Sequence, residues 1–181
     1  MNGKQYSQPF DVVREVTLPS TDEDLTASTD LQRKIVAAMS ESAGMINRIE
    51  IMKMQVEDQQ KALAANADAR KALADLAKKL YDTELNFLSR TELHSDDKWY
   101  VEKYKLHFNL IWLLAEVGGG GGDVMGGVGY KPTRAALSVF EDRQEDLAGA
   151  KKAFDDLVKA VDAFNRSQAG KIPAITDRLQ R

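Results

Sequence analysis

The chain has 181 residues, of which 43% are hydrophobic and 29% are charged, a composition typical of a folded domain rather than a disordered chain. Its 28 acidic and 25 basic residues give a net charge of −3, and no basic face is visible, so we expect no nucleic-acid partner. The absence of cysteine excludes disulfides, thiolate metal sites and cysteine nucleophiles.

The sequence shows neither a membrane-spanning segment nor an export signal. Its longest apolar run, Leu110–Ala115, is far shorter than the ~20 residues that a transmembrane helix needs, so we predict no membrane span. Met1–Pro9 is polar and lacks the apolar core of a signal peptide. If the protein is exported, we expect its targeting signal to lie upstream of this chain.

Residues 1–19 form a segment without helical periodicity, punctuated by Pro9 and Pro19. Its apolar residues favour an extended conformation, and they are Phe10, Val12, Val13, Val16 and Leu18. Because a single strand is not stable alone in water, we predict either an extended linker or a strand whose partner sheet lies elsewhere.

The sequence after residue 19 has the apolar periodicity of helices, interrupted by polar or glycine-rich segments. It predicts a helical bundle at 20–169 and a C-terminal tail at 170–181. The predicted helices cover about 22–63, 67–90, 97–117 and 133–169. Since short connections favour neighbouring helices that run in opposite directions, we predict an all-α, antiparallel up-and-down four-helix bundle with an extended N-terminal segment.

Capping residues and glycines mark the helix ends. Ser20–Asp24 combines a hydroxyl cap with acidic residues, and Asn66 caps the second helix. Gly44 should cost about 1 kcal/mol inside the first helix, and we expect the close approach of a neighbouring backbone to explain it. Ser95 or Asp96 is expected to cap the third helix.

The last two helices carry the strongest apolar patterns. The third is apolar nearly all round, so we expect it to be the most buried, and the run Gly118–Gly122 that ends it is interpreted as a flexible connector. In the fourth helix, apolar residues recur every seven positions, at Phe140, Leu147, Phe154 and Val161. This stripe must pack against other helices.

The candidates for catalytic or metal chemistry are few. His94 lies among acidic residues, but loop carboxylates beside a helix start are more often caps than metal ligands. His107 fits a hydrogen-bonded histidine of the bundle, and no Glu-x-x-His occurs, which excludes the di-metal carboxylate bundles. The glycine run follows a helix and lacks the residues of a phosphate-binding loop. We therefore expect no catalytic residues, no metal and no cofactor.

An aromatic cluster is the remaining candidate for recognition. Its residues are Trp99, Tyr100, Tyr104, Phe108 and Trp112. Core packing is the simpler explanation, but Trp99 and Tyr100 lie near the predicted helix start, with His94 in the preceding loop. These three residues are our candidates for surface recognition.

Several short segments give the chain a resemblance to a known family. They are Gln8–Val13, Ile46–Ile49, Pro132–Thr133, Val139–Asp142, Phe154–Leu157 and Ala163–Asn165. Together they resemble the C-terminal helical region of bacterial sortilin-like proteins with BNR (Asp-box) repeats, described as glycosyl hydrolases, over about residues 8–175. The resemblance implies that a β-propeller precedes the helices, that Pro9–Leu18 leads out of it, and that the protein is secreted or periplasmic.

This chain also departs from that family. It has no Asp-box, so the resemblance implies that the propeller and any catalytic site lie outside the chain. Asp96–Tyr100 replaces a short proline-containing motif, and the Gly118–Gly129 connector is unusually long. No functional residues of the family carry over to this sequence.

Three functional hypotheses follow. The first is a non-catalytic accessory or interaction domain, whose partner is the upstream β-propeller of the same parent protein or another protein. The second is a part of a glycoside hydrolase that contributes to a substrate groove, which requires the propeller. The third is an autonomous bundle that oligomerises through a leftover stripe on the first helix, at Met45, Ile51 and Met52.

Overall fold

The computed structural model describes residues 3, 5–13, 17, 19–90, 102–121 and 125–178. These residues contain four helices and no β-sheet, which confirms the predicted all-α class. The helices are α1 (Asp22–Ala62), α2 (Ala67–Glu84), α3 (Leu106–Val117) and α4 (Arg134–Ser167).

Side-chain caps set the starts of three helices. Thr21 Oγ1 accepts from Asp24 N (3.1 Å) and the Asp24 carboxylate accepts from Thr21 N (2.9 Å), which forms a reciprocal capping box at α1. Asn66 Oδ1 accepts from the third residue of α2 at 3.0 Å, and Thr133 Oγ1 does the same for α4 at 3.0 Å. These bonds satisfy amide groups that have no partner inside the helix. The three helices start within two residues of the positions that the sequence predicts.

The third helix begins later than the sequence predicts. Residues 102–105 are not helical and α3 starts at Leu106, without a side-chain cap, rather than near residue 97. Two hydrogen bonds explain the start: His107 N donates to Phe87 O (3.0 Å), and Asn109 Nδ2 donates to Tyr104 O (3.0 Å). The His107 amide and the Tyr104 carbonyl are therefore bonded to partners other than those of a continuous helix. The expected caps at residues 95 and 96 lie outside the described residues.

The second helix ends earlier than predicted, at Glu84 rather than near residue 90. Phe87 N and Leu88 N both donate to Glu84 O, and Asn86 Nδ2 donates to Thr83 O at 2.8 Å. These bonds close a turn that leaves Phe87 and Leu88 buried. The chain therefore enters the core immediately after α2 instead of continuing as a helix.

One buried apolar core joins all four helices. α1 contributes a row spaced by three or four residues along most of its length, which includes the fully buried Ile35 and Ile49. Leu73 and Leu80 of α2 and Leu110 of α3 are equally inaccessible. α4 completes the core with Ala136, Phe140, Ala150, Phe154, Leu157 and Val161.

The stripe proposed for oligomerisation belongs to this core. Met45 and Met52 are 6% and 1% exposed, and Ile51 is half-buried. The first two side chains pack inside the chain, so the interpretation of this stripe as a leftover contact surface is wrong. The sequence pattern could not distinguish a stripe that faces other helices of the same chain from one that faces a second copy.

α1 is much longer than α2 and α3, so different parts of α1 contact different helices. At 1.5 Å per residue, its 41 residues extend for about 60 Å, whereas the 18 residues of α2 extend for about 27 Å. α1 contacts α2 through the ion pair of Lys53 with Glu84 (2.8 Å), and it contacts α3 nearer its start, where Ser28 Oγ donates to Val117 O (3.3 Å). α4 contacts all three other helices.

The glycine-rich connector folds back onto the end of α3. Gly120 N donates to Ala115 O (3.0 Å) and Gly127 N donates to Glu116 O (2.8 Å), so the loop provides donors for the last helix carbonyls. A Cβ added to Gly126 would lie 2.2–2.4 Å from backbone atoms of residues 118–120. Only glycine fits there, and the described part of the connector is a helix cap as well as a link.

The N-terminal segment is exposed. Residues 5–13 form no helix or strand, and Phe10, Val12 and Val13 are 84%, 88% and 83% exposed.

Gly44 of α1 is not explained by the close approach of a neighbouring backbone, as was expected from the sequence. A Cβ at this position would meet nothing within 4 Å, so that explanation is wrong.

Two glycine substitutions test this description of the loop. Gly126→Ala should lower the free energy of unfolding by about 1–3 kcal/mol, because the added methyl group displaces the loop backbone. The matched control, Gly44→Ala, should raise it by about 1 kcal/mol, because it only improves helix propensity. Urea unfolding followed by circular dichroism measures both, and equal effects would contradict the tight packing at Gly126.

Candidate functional site

The residues predicted for surface recognition, His94, Trp99 and Tyr100, lie within 91–101, outside the described residues. Their role stays a prediction. Of the remaining aromatic cluster, Tyr104 and Phe108 contact each other, with ring centroids 5.0 Å apart and planes tilted by 45°. This contact agrees with the packing interpretation of these two rings.

A different surface emerges at one end of the molecule, which we call the loop end: the start of α1, the end of α3 and the start of α4. Ser28 Oγ binds Val117 O there, and the side chain of Gln32 lies against Gly118. Tyr130 and Thr133 line a cleft together with Glu116 and Val117, which places the connector and the start of α4 at the same end.

The loop end has an open groove of about 660 Å³ between α1 and α3. One wall is formed by Thr29, Gln32, Arg33 and Val36, the other by Ile111, Leu114 and Ala115, and the end by Gly118–Gly121. Val36 is 47% exposed and Ile111 is 36% exposed, although each follows a core residue directly in the sequence. The glycines add no side chains, so backbone and aliphatic groups line most of this groove.

Other exposed apolar side chains lie in the connector and near the start of α4. In the described residues they include Met125, Val128 and Tyr130 of the connector and Leu137 and Val139 of α4. The exposed apolar N-terminal segment leads into the start of α1, at the same end. Large contiguous apolar surfaces on a folded protein often mark sites of protein contact.

Sequence reasoning missed the groove. Val36 and Ile111 stand beside core positions, and periodicity identifies the buried face of a helix without telling how far the neighbouring helix covers its flank. The only indication in the sequence was that Val36 and Ile111 each fall just outside the main apolar stripe of their helix.

A buried charge cluster lies elsewhere, between α1 and α2. Lys53 Nζ lies 2.8 Å from Glu84 Oε2 and 2.8 Å from Glu50 Oε1. Glu84 is only 4% exposed, and its Oε1 is buried without a hydrogen-bond partner among the described residues. Burial raises the pKa of Glu84 to about 7, and the neighbouring Glu50 also raises it, while Lys53 acts in the opposite direction.

Perturbed carboxyl groups often mark active sites, but this one does not face a substrate. Because Glu84 is almost completely covered, a substrate could reach it only if α1 and α2 separated. The cluster is therefore an internal ion-pair network that links two helices. Its paired charges offset the cost of placing polar groups in the interface.

The described residues offer neither a metal site nor a membrane-spanning helix. No group of three or more His, Asp or Glu side chains is arranged to hold a metal ion there. None of the described helices combines the length and apolar character required to cross a membrane. The apolar loop end is therefore the feature on which a functional proposal can best be based.

Comparison with known proteins does not identify the chain. No family model matches it, and neither a curated protein nor a solved structure matches it. The resemblance to the helical region of sortilin-like proteins stays a prediction based on the segments quoted above.

The charge cluster predicts a specific dependence of stability on pH. The pKa of Glu84 is raised in the folded protein from an ordinary value of 4.5, so its stabilising contribution is present below pH 4.5 and is lost as the pH rises through about 7. Between about pH 5 and pH 8, the wild type should lose on the order of 1–2 kcal/mol relative to Glu84→Gln, which cannot ionise.

Urea unfolding at both pH values measures this difference. The pKa of Glu50 is lowered from 4.5 and the pKa of Lys53 is raised from 10.5, so both groups titrate outside the window. Glu57→Gln, which changes an exposed glutamate of α1, is the control and should parallel the wild type. Parallel curves for wild type and Glu84→Gln would show that Glu84 is not the titrating group.

Proposed function

We propose that this chain is a non-catalytic helical interaction domain whose partner binds at the loop end. The observation that carries the proposal is the exposure of aliphatic side chains on both walls of the groove, 47% for Val36 and 36% for Ile111. A partner that covers both would recover about 0.5–1.5 kcal/mol for each side chain, since each is already more than half buried. The partner we expect is a protein, because the groove is lined mostly by aliphatic side chains and backbone.

The proposal includes an arrangement of the helices. We infer that α2 and α3 follow each other along α1 and run antiparallel to it, while α4 runs parallel to α1. This order departs from a strict up-and-down bundle, because α2 and α3 run in the same direction. Its support is the order of contacts: α1 meets the end of α2 at Lys53 and the end of α3 at Ser28. α4 lies beside the middle of α1, where Lys151 pairs with Glu41.

The proposal also includes a parent protein. The segment resemblance favours the C-terminal helical region of an exported bacterial β-propeller protein of the sortilin-like type. The exposed N-terminal segment would then lead from the propeller into α1, beside the groove. In this arrangement the groove faces the preceding domain, so the propeller itself is the first partner to test.

The alternative of a glycoside hydrolase has weaker support. Such enzymes use two carboxyl groups that face each other across a substrate site. The carboxyl group with the raised pKa, on Glu84, is covered and bound to Lys53 instead. An autonomous oligomer could not use Met45 and Met52 of α1, which are buried, so we expect it to use the loop-end groove, and its existence is decided by the same experiment.

The test compares charge substitutions at the two ends of the molecule. Val36→Lys with Ile111→Lys should weaken binding to the upstream region of the parent protein by roughly ten-fold or more, because lysine heads cannot be buried in the groove. Met54→Lys with Tyr81→Lys is the matched control, since these side chains are also exposed, at 55% and 41%, but lie outside the groove.

Isothermal titration calorimetry measures the affinities, and circular dichroism verifies that both variants stay folded. Equal affinities of the two variants would refute a partner site at the groove. Light scattering at several protein concentrations separates this proposal from self-association, which predicts a dimer that only the groove variant abolishes. Glycoside hydrolysis by the chain alone would refute the non-catalytic role.

A further inference from the structure

The chain that follows α4 lies between α1 and α4 at the end remote from the groove. Gly170, with φ of +75°, turns the backbone after the helix, and residues 173–176 are not helical. Ile172 and Ile175 are 5% and 2% exposed, so both side chains are anchored in the core. We call residues 171–178 the tail.

Two side-chain amides hold the main chain of the tail from opposite walls. Asn165 of α4 donates from Nδ2 to Ile175 O (2.8 Å) and accepts from Ile175 N at Oδ1 (2.9 Å). Gln55 of α1 donates from Nε2 to Thr176 O (2.7 Å) and accepts from Thr176 N at Oε1 (3.0 Å). The backbone N–H and C=O groups of Ile175 thus face α4 and those of Thr176 face α1, as those of consecutive residues do in a strand between two neighbouring strands.

Further contacts fix the direction and register of the tail. Gln59 Nε2 donates to Pro173 O (3.0 Å), and Arg48 Nε donates to Asp177 Oδ2 (2.7 Å). The Arg48 guanidinium also lies over the Phe154 ring, 4.5 Å from its centroid, which holds it in position for the carboxylate. The contacts therefore combine main-chain recognition, two aliphatic anchors and one ion pair.

We propose that the cleft between α1 and α4 is a recognition site for extended peptide segments, occupied here by the chain's own tail. The segment it accepts has two aliphatic side chains three residues apart, followed two residues later by a carboxylate. Asn165 contacts the peptide groups of Ile175, and Gln55 contacts those of Thr176 together with its hydroxyl group at 3.4 Å, so most of this recognition is independent of side chains. The two apolar anchors and Arg48 supply the main sequence preference. This site is independent of the function proposed for the loop end.

The test uses the full chain with its tail released. Ile172→Asp with Ile175→Asp places charges where aliphatic anchors belong, which should free the cleft. A fluorescent synthetic peptide with the wild-type sequence 171–181 should then bind saturably in fluorescence polarisation. The wild type should bind the peptide at least roughly ten-fold more weakly, because its own tail competes at a millimolar effective concentration.

Two controls test the recognition chemistry. Adding Gln55→Leu and Asn165→Leu to the released variant should reduce binding by at least roughly ten-fold, since the peptide groups of the ligand lose their partners. A peptide carrying the same two aspartates should not bind. Absence of binding by the released variant, while its helical circular dichroism is retained, would overturn the proposal.

A second measurement decides the matter if the released variant does not fold. The natural chain has no cysteine, so Arg178→Cys in an otherwise wild-type chain carries a single fluorophore on the tail. Unlabelled peptide at a few millimolar should displace the labelled tail and lower its fluorescence anisotropy. Unchanged anisotropy at about 5 mM peptide would overturn the proposal, because the tail would then be a fixed part of the core.

Discussion

The burial of one face of α1 is the constraint on which the rest of the structure depends. The buried apolar row of α1 runs from Leu31 to Val56, about 38 Å, and among the described helices neither α2, with 18 residues, nor α3, with 12, is long enough to cover it alone. α2 covers the part near Lys53, α3 covers the part near Ser28, and α4 lies alongside. The lengths and connections of the other helices follow from this requirement.

As a result, the two ends of the molecule differ in how completely their apolar side chains are covered. At the end remote from the groove, the tail fills the cleft between α1 and α4 and buries Ile172 and Ile175. At the loop end, the connector caps α3 with backbone groups, and Gly118–Gly121 add no side chains to the groove, so Val36 and Ile111 stay exposed. The described structure thus has one end where the tail covers the apolar side chains and one end where a glycine-rich segment leaves them exposed, and the contact surface we propose lies at the second end.

Local interactions determine how much of the fold could be predicted from the sequence. Thr21, Asn66 and Thr133 mark helix starts because each cap binds an amide three residues ahead. The start of α3 depends instead on a bond from His107 N to Phe87 O, which joins residues far apart in the sequence and leaves no local pattern. The coarse class was predictable, whereas this boundary was not.

The two surfaces for which we propose a function could not be predicted from the sequence for a related reason. Gln55 and Asn165 look like ordinary polar residues on helices, and only the folded chain brings each of them to the tail, 121 and 10 residues away. Likewise, the flank of a helix stays open only because a neighbour is too short or ends in glycine. Contact between distant segments, rather than residue type, creates both sites.

The cap on α3 has a consequence for how the sequence can change over time. Surface loops usually accept insertions and substitutions freely, but a Cβ added to Gly126 would lie 2.2–2.4 Å from backbone atoms, so there is no room for a methyl group. Gly44 and Gly149 face open space. Natural selection should therefore tolerate drift at the two helical glycines and retain the one in the loop, which reverses the usual contrast between variable loops and constrained helices.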